Sequence, residues 1–452
     1  MYTIKIISSF FVLGLLLGIH SQVAASSTTT ATSTLETIAT STSTGLQAPT
    51  VPLLITQINQ AKTQLSTISL NHALTPIYKN VKNKKTAKAT KTLTGYTLSA
   101  KDIALAILDP QTGTIITTIG IQTGKSMTFP DPAVQVKLTS FNGVNSKFQI
   151  TMPASGTVLA LKYLISGTES GSKSAIENSL SEAVYVPYSS ALSDPTVLKY
   201  GENYLNGIIH TVAQSIQYIP SRSIPGKMIT EAIPPAMIKA LIYAEHTDTT
   251  KVLKGDVRDT IDTLDILFAT NGGDAYKYSV STAGARGIAQ FMPATYQGLV
   301  DRHPEAGLIS DFVQGMSDHT NAIKAMYLLL DDYAGAVRVK ATQGFAEGHV
   351  FEYGAASYNG GTTRVVNAVN TYGQDWNSDH SGEINTLQAT VNSIASQVKK
   401  AKDKKTKAAL QVQLNNTRNK LSDLAGATLR NETVNYLNKI YKVITMFNDQ
   451  VI

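Results

Sequence analysis

Glu245 ends a stretch, residues 234–245, in which Met237, Ile238, Leu241 and Ile242 recur at helical spacing behind the two prolines that start it. A carboxyl group at the end of an apolar helix, facing a cleft, is partly desolvated. Desolvation raises its pKa and keeps a proton available for general acid work near neutral pH. A glutamate that merely closes a surface helix is the commoner case, so the company of Glu245 decides the reading. Downstream, residues 281–296 join a Gly-rich turn (Gly284, Gly287) to polar groups and to a helix start at Pro293. Gln290 lies in an otherwise apolar part of that turn and needs a hydrogen-bond reason to be there. Further on, residues 356–361 place Tyr358 and Asn359 together near a Gly-Gly helix stop. In chain order these are a carboxyl, an amide, a phenol and a second amide, a candidate acid with polar groups that could line a cleft beside it.

Two other patterns carry less. Residues 120–126 imitate a phosphate loop, but the spacing between the glycines is one residue short and the segment runs into Phe129-Pro130 rather than a helix. The eight histidines show no paired zinc spacing. His246, beside the acid, reads as a groove or core residue rather than a ligand. No metal and no cofactor is expected.

The elements that must position the acid follow from periodicity. Lys5 precedes an apolar run from Ile6 to Ile19, with small residues at 23–25, which together resemble a secretory signal peptide ending at Ala25. Residues 26–45 are almost entirely Ser, Thr and Ala and read as a spacer. Ile55, Ile58, Ala61, Leu65 and Ile68 follow at helical spacing, ending near a lysine cluster (Lys79, Lys82, Lys84, Lys85, Lys88, Lys91). Between 101 and 188, short β-rich runs separated by turn signals predict a small sandwich or barrel. Helical periodicity dominates from Gly201 onward. It is interrupted by two runs at alternating three and four, Ile384 to Ala401 and Leu410 to Leu424, which predict an antiparallel helical hairpin with Lys399, Lys400, Lys402, Lys404, Lys405 and Lys407 at its tip.

Composition bounds the setting. The chain has no cysteine, a formal charge of +7 and a pI near 9.1. An exported protein would therefore fold without disulfides, and its excess cations favour acidic partners, which in an envelope are anionic wall polymers and lipid headgroups. Nucleic acid fits export poorly.

The order of Glu245, the 284–293 segment, 318–330, 356–361 and 432–439 resembles the bacterial peptidoglycan lytic transglycosylases, whose soluble-lytic-transglycosylase domain has a lysozyme-like fold. The resemblance covers roughly residues 234–447. The family carries Glu-Ser on one helix, Gly-Leu-Met-Gln in a turn and Ala-Tyr-Asn on a later helix. This chain has Glu245-His246, Gly287-Ile288-Ala289-Gln290 and Ser357-Tyr358-Asn359. His246 and Ala289 depart from the pattern, and the gap from Glu245 to Gly284, containing Asp256, Asp259, Asp262, Asp265 and Asp274, is longer than in the commonest members. By the resemblance Glu245 is the acid and base, while Ser281, Gln290, Met292, Tyr358 and Asn359 contact the glycan. Phe291 reads as core and Asn321 as scaffold.

The resemblance implies cleavage of the β-1,4 bond between N-acetylmuramic acid and N-acetylglucosamine with one carboxyl group. Glu245 protonates the linking oxygen, then accepts the proton of the muramic acid C6 hydroxyl as that oxygen attacks C1, leaving a 1,6-anhydro end. Two alternatives stay open. One is a hydrolase of goose-lysozyme type, in which an inserted aspartate holds a water opposite Glu245. The other is a lapsed site in a wall-binding or assembly protein.

The expected architecture is multidomain: signal peptide 1–25, spacer and short Lys-rich helical segment 26–96, β-rich sandwich-like module 97–192, mainly α lysozyme-like domain 200–376, inserted hairpin 377–426 and a last catalytic-domain helix 427–452. The expected location is the periplasm, cell envelope or exterior. Expected partners are peptidoglycan glycan strands, an envelope protein at the hairpin or β module, and peripheral membrane contact.

Overall fold

Alternation along one long strand explains how the first half of the chain folds. In a computed structural model, which describes residues 51–82, 89–255, 257–342 and 344–448, β2 (Ala89–Leu108) turns Ile103, Leu105 and Ile107 to one side and Ala104 and Ala106 to the other. The alanines leave room for helix α1 (Leu53–Ser66), whose Ile55, Ile58, Ala61 and Leu65 are buried against them. The strand order is β4-β3-β2-β7-β9, all antiparallel, formed by β3 (Ile115–Thr123), β4 (Ser126–Thr128), β7 (Thr157–Ser166) and β9 (Leu180–Tyr185). β1 (His72–Lys82) and the two-residue β8 (Ser170–Gly171) pair with the first part of β2. β5 (Gln135–Ser140) and β6 (Lys147–Met152) make a separate two-stranded ribbon, and α2 (Lys173–Ser179) precedes β9.

This corrects the sandwich expectation. One seven-stranded sheet has a helix on one face, and the small ribbon contributes Ile150 to the core on the other. The segment after α1 is also strand rather than helix. β1 forms a two-stranded arm with β2, in which Lys79 stands opposite Thr92 and Asn80 opposite Lys91. Most side chains from His72 to Asn80 on this arm are exposed, so no hydrophobic alternation marks it in sequence. The expected signal peptide and spacer, residues 1–45, and Lys84, Lys85, Lys88 and Asp256 lie outside the described residues.

The second half is helical: α3 (Pro195–Ile216), α4 (Ile229–Ala232), α5 (Pro235–Glu245), α6 (Thr249–Lys254), α7 (Val257–Asn271), α8 (Pro293–Arg302), α9 (Phe312–Ser317), α10 (His319–Lys340), α11 (Val350–Gly360), α12 (Thr362–Tyr372), α13 (Ser381–Lys400), α14 (Lys404–Ala427) and α15 (Asn431–Asn448). Asp194 caps α3 and Asp318 caps α10, each carboxylate accepting a first-turn N–H at 2.8 Å. The buried run from Asn321 to Leu330 makes α10 the central helix, with α3, α5, α8, α11 and α12 packed on it. α15 returns from the far end of the chain to lie against α5 and α11. The two halves share a core, because Ile266, Leu267 and Ala269 of α7 pack into the sheet's two hydrophobic clusters. Among the described residues no helix is long and apolar enough to cross a membrane.

Candidate active site

α5 is apolar on nearly every side, with residues 238–244 all buried. Its last residue, Glu245, is only partly exposed, so its carboxyl leaves much of its water behind. Burial raises its pKa; a hydrogen bond from Tyr436 and the charge of Lys439 act against that rise. The Tyr436 hydroxyl donates to Glu245 Oε1. Both partners come from α15, where Tyr436 and Lys439 are three residues apart and share a face. Lys439 is itself buried and donates through Nζ to the carbonyls of Ala244, at 2.6 Å, and Thr247, at 3.1 Å. An ammonium thus holds one carbonyl in the last turn of α5 and one just beyond it, near the negative end of the helix dipole.

The Gly-rich turn reaches the acid through its carbonyls. His246 Nε2 meets the Ile288 carbonyl at 2.8 Å, so that nitrogen carries the proton and the ring donates. Burial lowers the His246 pKa to about 4, which keeps the ring neutral and the other nitrogen free of charge near neutral pH. Its ring stacks on Tyr276 with centroids 3.8 Å apart. From the opposite side the Tyr358 hydroxyl donates to the next carbonyl, that of Ala289, and its ring meets Phe291 edge-on at 5.7 Å. Two adjacent carbonyls of one turn are therefore pinned, one by the residue after the acid and one by α11. Burial and the neighbouring charge of Glu245 raise the pKa values of Tyr358 and Tyr436 well above the ordinary phenol value, which leaves both phenols as neutral donors.

Backbone strain concentrates here. Gln290 (φ 51°) and Tyr276 (φ 61°) occupy the left-handed region, which such side chains rarely adopt. The Gln290 side chain supplies the hydrogen-bond reason: its amide donates to the Gly287 carbonyl at 2.8 Å and to Ser279 Oγ at 3.3 Å. Gly287 (φ 72°) is required, because a Cβ there would lie 2.1 Å from the Met316 carbonyl oxygen.

The structure thus brings Glu245, Tyr358 and the turn of Gln290 together, and leaves the other expected contacts less central. Ser281 is exposed, and its Oγ accepts from the Ala285 N–H at 2.9 Å, closing the start of the turn. Met292, 39% exposed, stands at the start of α8 as a surface apolar group. Asn359 is exposed and accepts through Oδ1 from Thr433 of α15 at 2.9 Å. No hydrogen bond joins these three to Glu245 among the described residues. Phe291 is buried, and Asn321 is a scaffold group, bonded to Tyr296, Gly315 and Ile309.

The inserted aspartates that the hydrolytic alternative calls on also have other surroundings. Asp265 accepts from the Tyr243 hydroxyl, Asp262 pairs with Arg258 at 3.1 Å and Asp274 with Lys277 at 2.8 Å. Asp259 is exposed in the first turn of α7. Tyr243 precedes Glu245 by two residues, about 200° around the helix, so Asp265 is reached across α5 from the candidate acid. A cavity of about 310 Å³ opens on that far side, lined by Leu198, Glu202, Tyr243, Asp265 and Phe447 among others. Sequence reading assigned no role at the site to Tyr436, Lys439 and Tyr276, and took His246 only as a groove or core residue beside the acid. For the first two a signal existed: Thr433, Tyr436, Lys439 and Ile440 fall on one buried helical face, and a lysine among such positions needs a partner.

Neither protein-family models, nor curated proteins, nor solved structures yield a match to this chain.

Proposed function

We propose that the chain is a lytic transglycosylase of lysozyme-like architecture that cleaves the glycan strands of peptidoglycan, with Glu245 as its single acid and base. One observation carries the reading: a partly exposed carboxyl of raised pKa ends α5, between a turn and a helix that the chain's own hydrogen bonds lock beside it. A raised pKa keeps the proton that the leaving oxygen needs. The neutral Tyr436 hydroxyl then favours the carboxylate that remains, ready to take the C6 hydroxyl proton as that oxygen closes on C1. Bond making and breaking balance without water: the C1–O4 bond breaks, the C1–O6 bond forms, and one proton passes through Glu245. The intramolecular attack needs no second carboxylate, in keeping with the engagement of Asp262, Asp265 and Asp274 elsewhere. His246 fits the place of the family serine as a link from the acid's helix to the turn.

The test is digestion of purified wall by the full chain and by Glu245→Gln. The variant should keep its fold and melting behaviour and lose cleavage by on the order of 10³-fold. Mass spectrometry of the products should find 1,6-anhydro ends. Ends that gain water would replace this reading with hydrolysis, and intact strands with the wild-type chain would replace it with a binding role.

A further inference from the structure

Charge is distributed along the helical hairpin in a way that solubility does not require. Residues 384–398 of α13 and 408–417 of α14 contain no charged side chain. Exposed helices are ordinarily kept in solution by interspersed acidic and basic residues, often in i,i+4 pairs; here Gln, Asn, Ser and Thr take that role. Six lysines are instead gathered within residues 399–407, at the turn, together with one acid, Asp403. That acid is engaged locally, its carboxylate accepting from the Thr406 N–H at 2.8 Å as the cap of α14. All six lysines are exposed. Among the described residues no ion pair engages any of them. Lys404, Lys405 and Lys407 also sit in the first turns of α14, where the helix dipole disfavours cations.

The hairpin holds this cluster away from the body of the protein. Its shaft has a small core of its own, Val391, Ile394, Val398 and Leu414. It is fastened at the root, where Arg364 Nη1 donates to the carbonyls of Ala425, at 2.7 Å, and Thr428, at 3.0 Å, and His380 stacks on Tyr372 with centroids 3.6 Å apart. From Leu387 near the root to Lys400 at the tip is about 20 Å at 1.5 Å per residue.

We propose that the hairpin tip docks on an anionic phospholipid surface and holds the rest of the chain away from it. A blunt end carrying many cations fits a plane of closely spaced, mobile phosphate headgroups. An extended polyanion would be better matched by a stripe of cations along the shaft, and the shaft is neutral. The turn offers only alanine as an apolar residue (Ala401, Ala408, Ala409), so contact is with headgroups and without insertion, and salt weakens it.

The experiment is co-sedimentation of the full chain with vesicles of phosphatidylcholine alone and of phosphatidylcholine mixed with phosphatidylglycerol. The full chain should bind the mixed vesicles in excess of the neutral ones, and the excess should vanish in high salt. Lys402→Gln, Lys404→Gln and Lys405→Gln together should lower that excess partitioning by roughly 100-fold, at about fivefold per lysine. The same loss of charge at three exposed lysines elsewhere, Lys125→Gln, Lys137→Gln and Lys227→Gln, should lower it by no more than a few-fold. Equal losses in the two triple variants, equal binding to both vesicle types, or retention on immobilised polyphosphate without vesicle binding would each overturn the assignment. Glu245→Gln should bind vesicles like the parent, so the result stands apart from the catalytic reading.

Discussion

One carboxyl group ends α5 and another packs against it from α7, and each accepts a hydrogen bond from a tyrosine: Glu245 from Tyr436, Asp265 from Tyr243. Burial raises the pKa of both, that of Asp265 to about 7. A perturbed acid with a phenol partner therefore does not by itself mark a catalytic centre. The difference lies in their surroundings. Asp265 is 5% exposed and lines a cavity beside Glu202, whose carboxylate is held by Lys239 at 2.9 Å and Lys199 at 2.8 Å. Glu245 stands beside a strained turn whose carbonyls are fixed from two sides. The first arrangement joins three helices internally; the second leaves a partly exposed carboxyl at the end of a helix, which is where the proposed reading puts its acid.

Paired substitutions break this comparison most directly. Glu245→Gln and Asp265→Asn are both nearly isosteric, and both leave an acceptor for the tyrosine hydroxyl. Cleavage should fall by on the order of 10³-fold in the first and by less than about threefold in the second, measured as anhydro ends released per unit time. The reverse result would transfer the acid's role to Asp265 and make its cavity the site.

The two carboxyls also bear differently on stability. Between pH 3.8, the ordinary value, and about 7, native Asp265 keeps a proton that the unfolded chain has released. The native state then binds more protons than the unfolded one, so stability falls as pH rises through this window. Above it the loss from this group is complete, at roughly 4 kcal/mol, and below it there is none. Asp265→Asn removes the loss, and its urea midpoint should fall much less between the two ends of the window than that of the parent chain. Parallel curves for the two proteins would mean that Asp265 stays ionised in the fold.

What sequence reading could reach follows the range of the interactions. The apolar helix ending at Glu245, the turn at Gly287 and the paired helices of the hairpin are written in local periodicity and glycine placement, and they stand where spacing puts them. α7 carries a readable pattern too, in Ile261, Leu264 and Phe268, but its aspartates drew attention to charge. The β1–β2 arm left no pattern because most of its side chains are exposed, and a strand without a buried face has no alternation. Tyr436 lies 191 residues from Glu245; only the return of α15 onto α5 makes them partners, and no local rule foretells that contact. The single sheet in place of a sandwich has a similar origin, since Ala104 and Ala106 show their use only once α1 is known to lie on them.

The tyrosines give the finest test of the difference between the two pairs. Each hydroxyl donates to its carboxyl and so favours the ionised form, and removing either should raise the pKa of the acid it serves. Only one of those acids is expected to work. Tyr436→Phe should therefore lower cleavage by about tenfold and move the basic limb of the pH profile of kcat/KM upward, because Glu245 holds its proton to higher pH but yields it to the leaving oxygen less readily. Tyr243→Phe should leave both the rate and the limb in place while changing stability through Asp265. A profile unmoved by Tyr436→Phe would separate the titrating group of catalysis from Glu245, even if Glu245→Gln were inactive. A limb that moved with Tyr243→Phe instead would tie that group to the far side of α5.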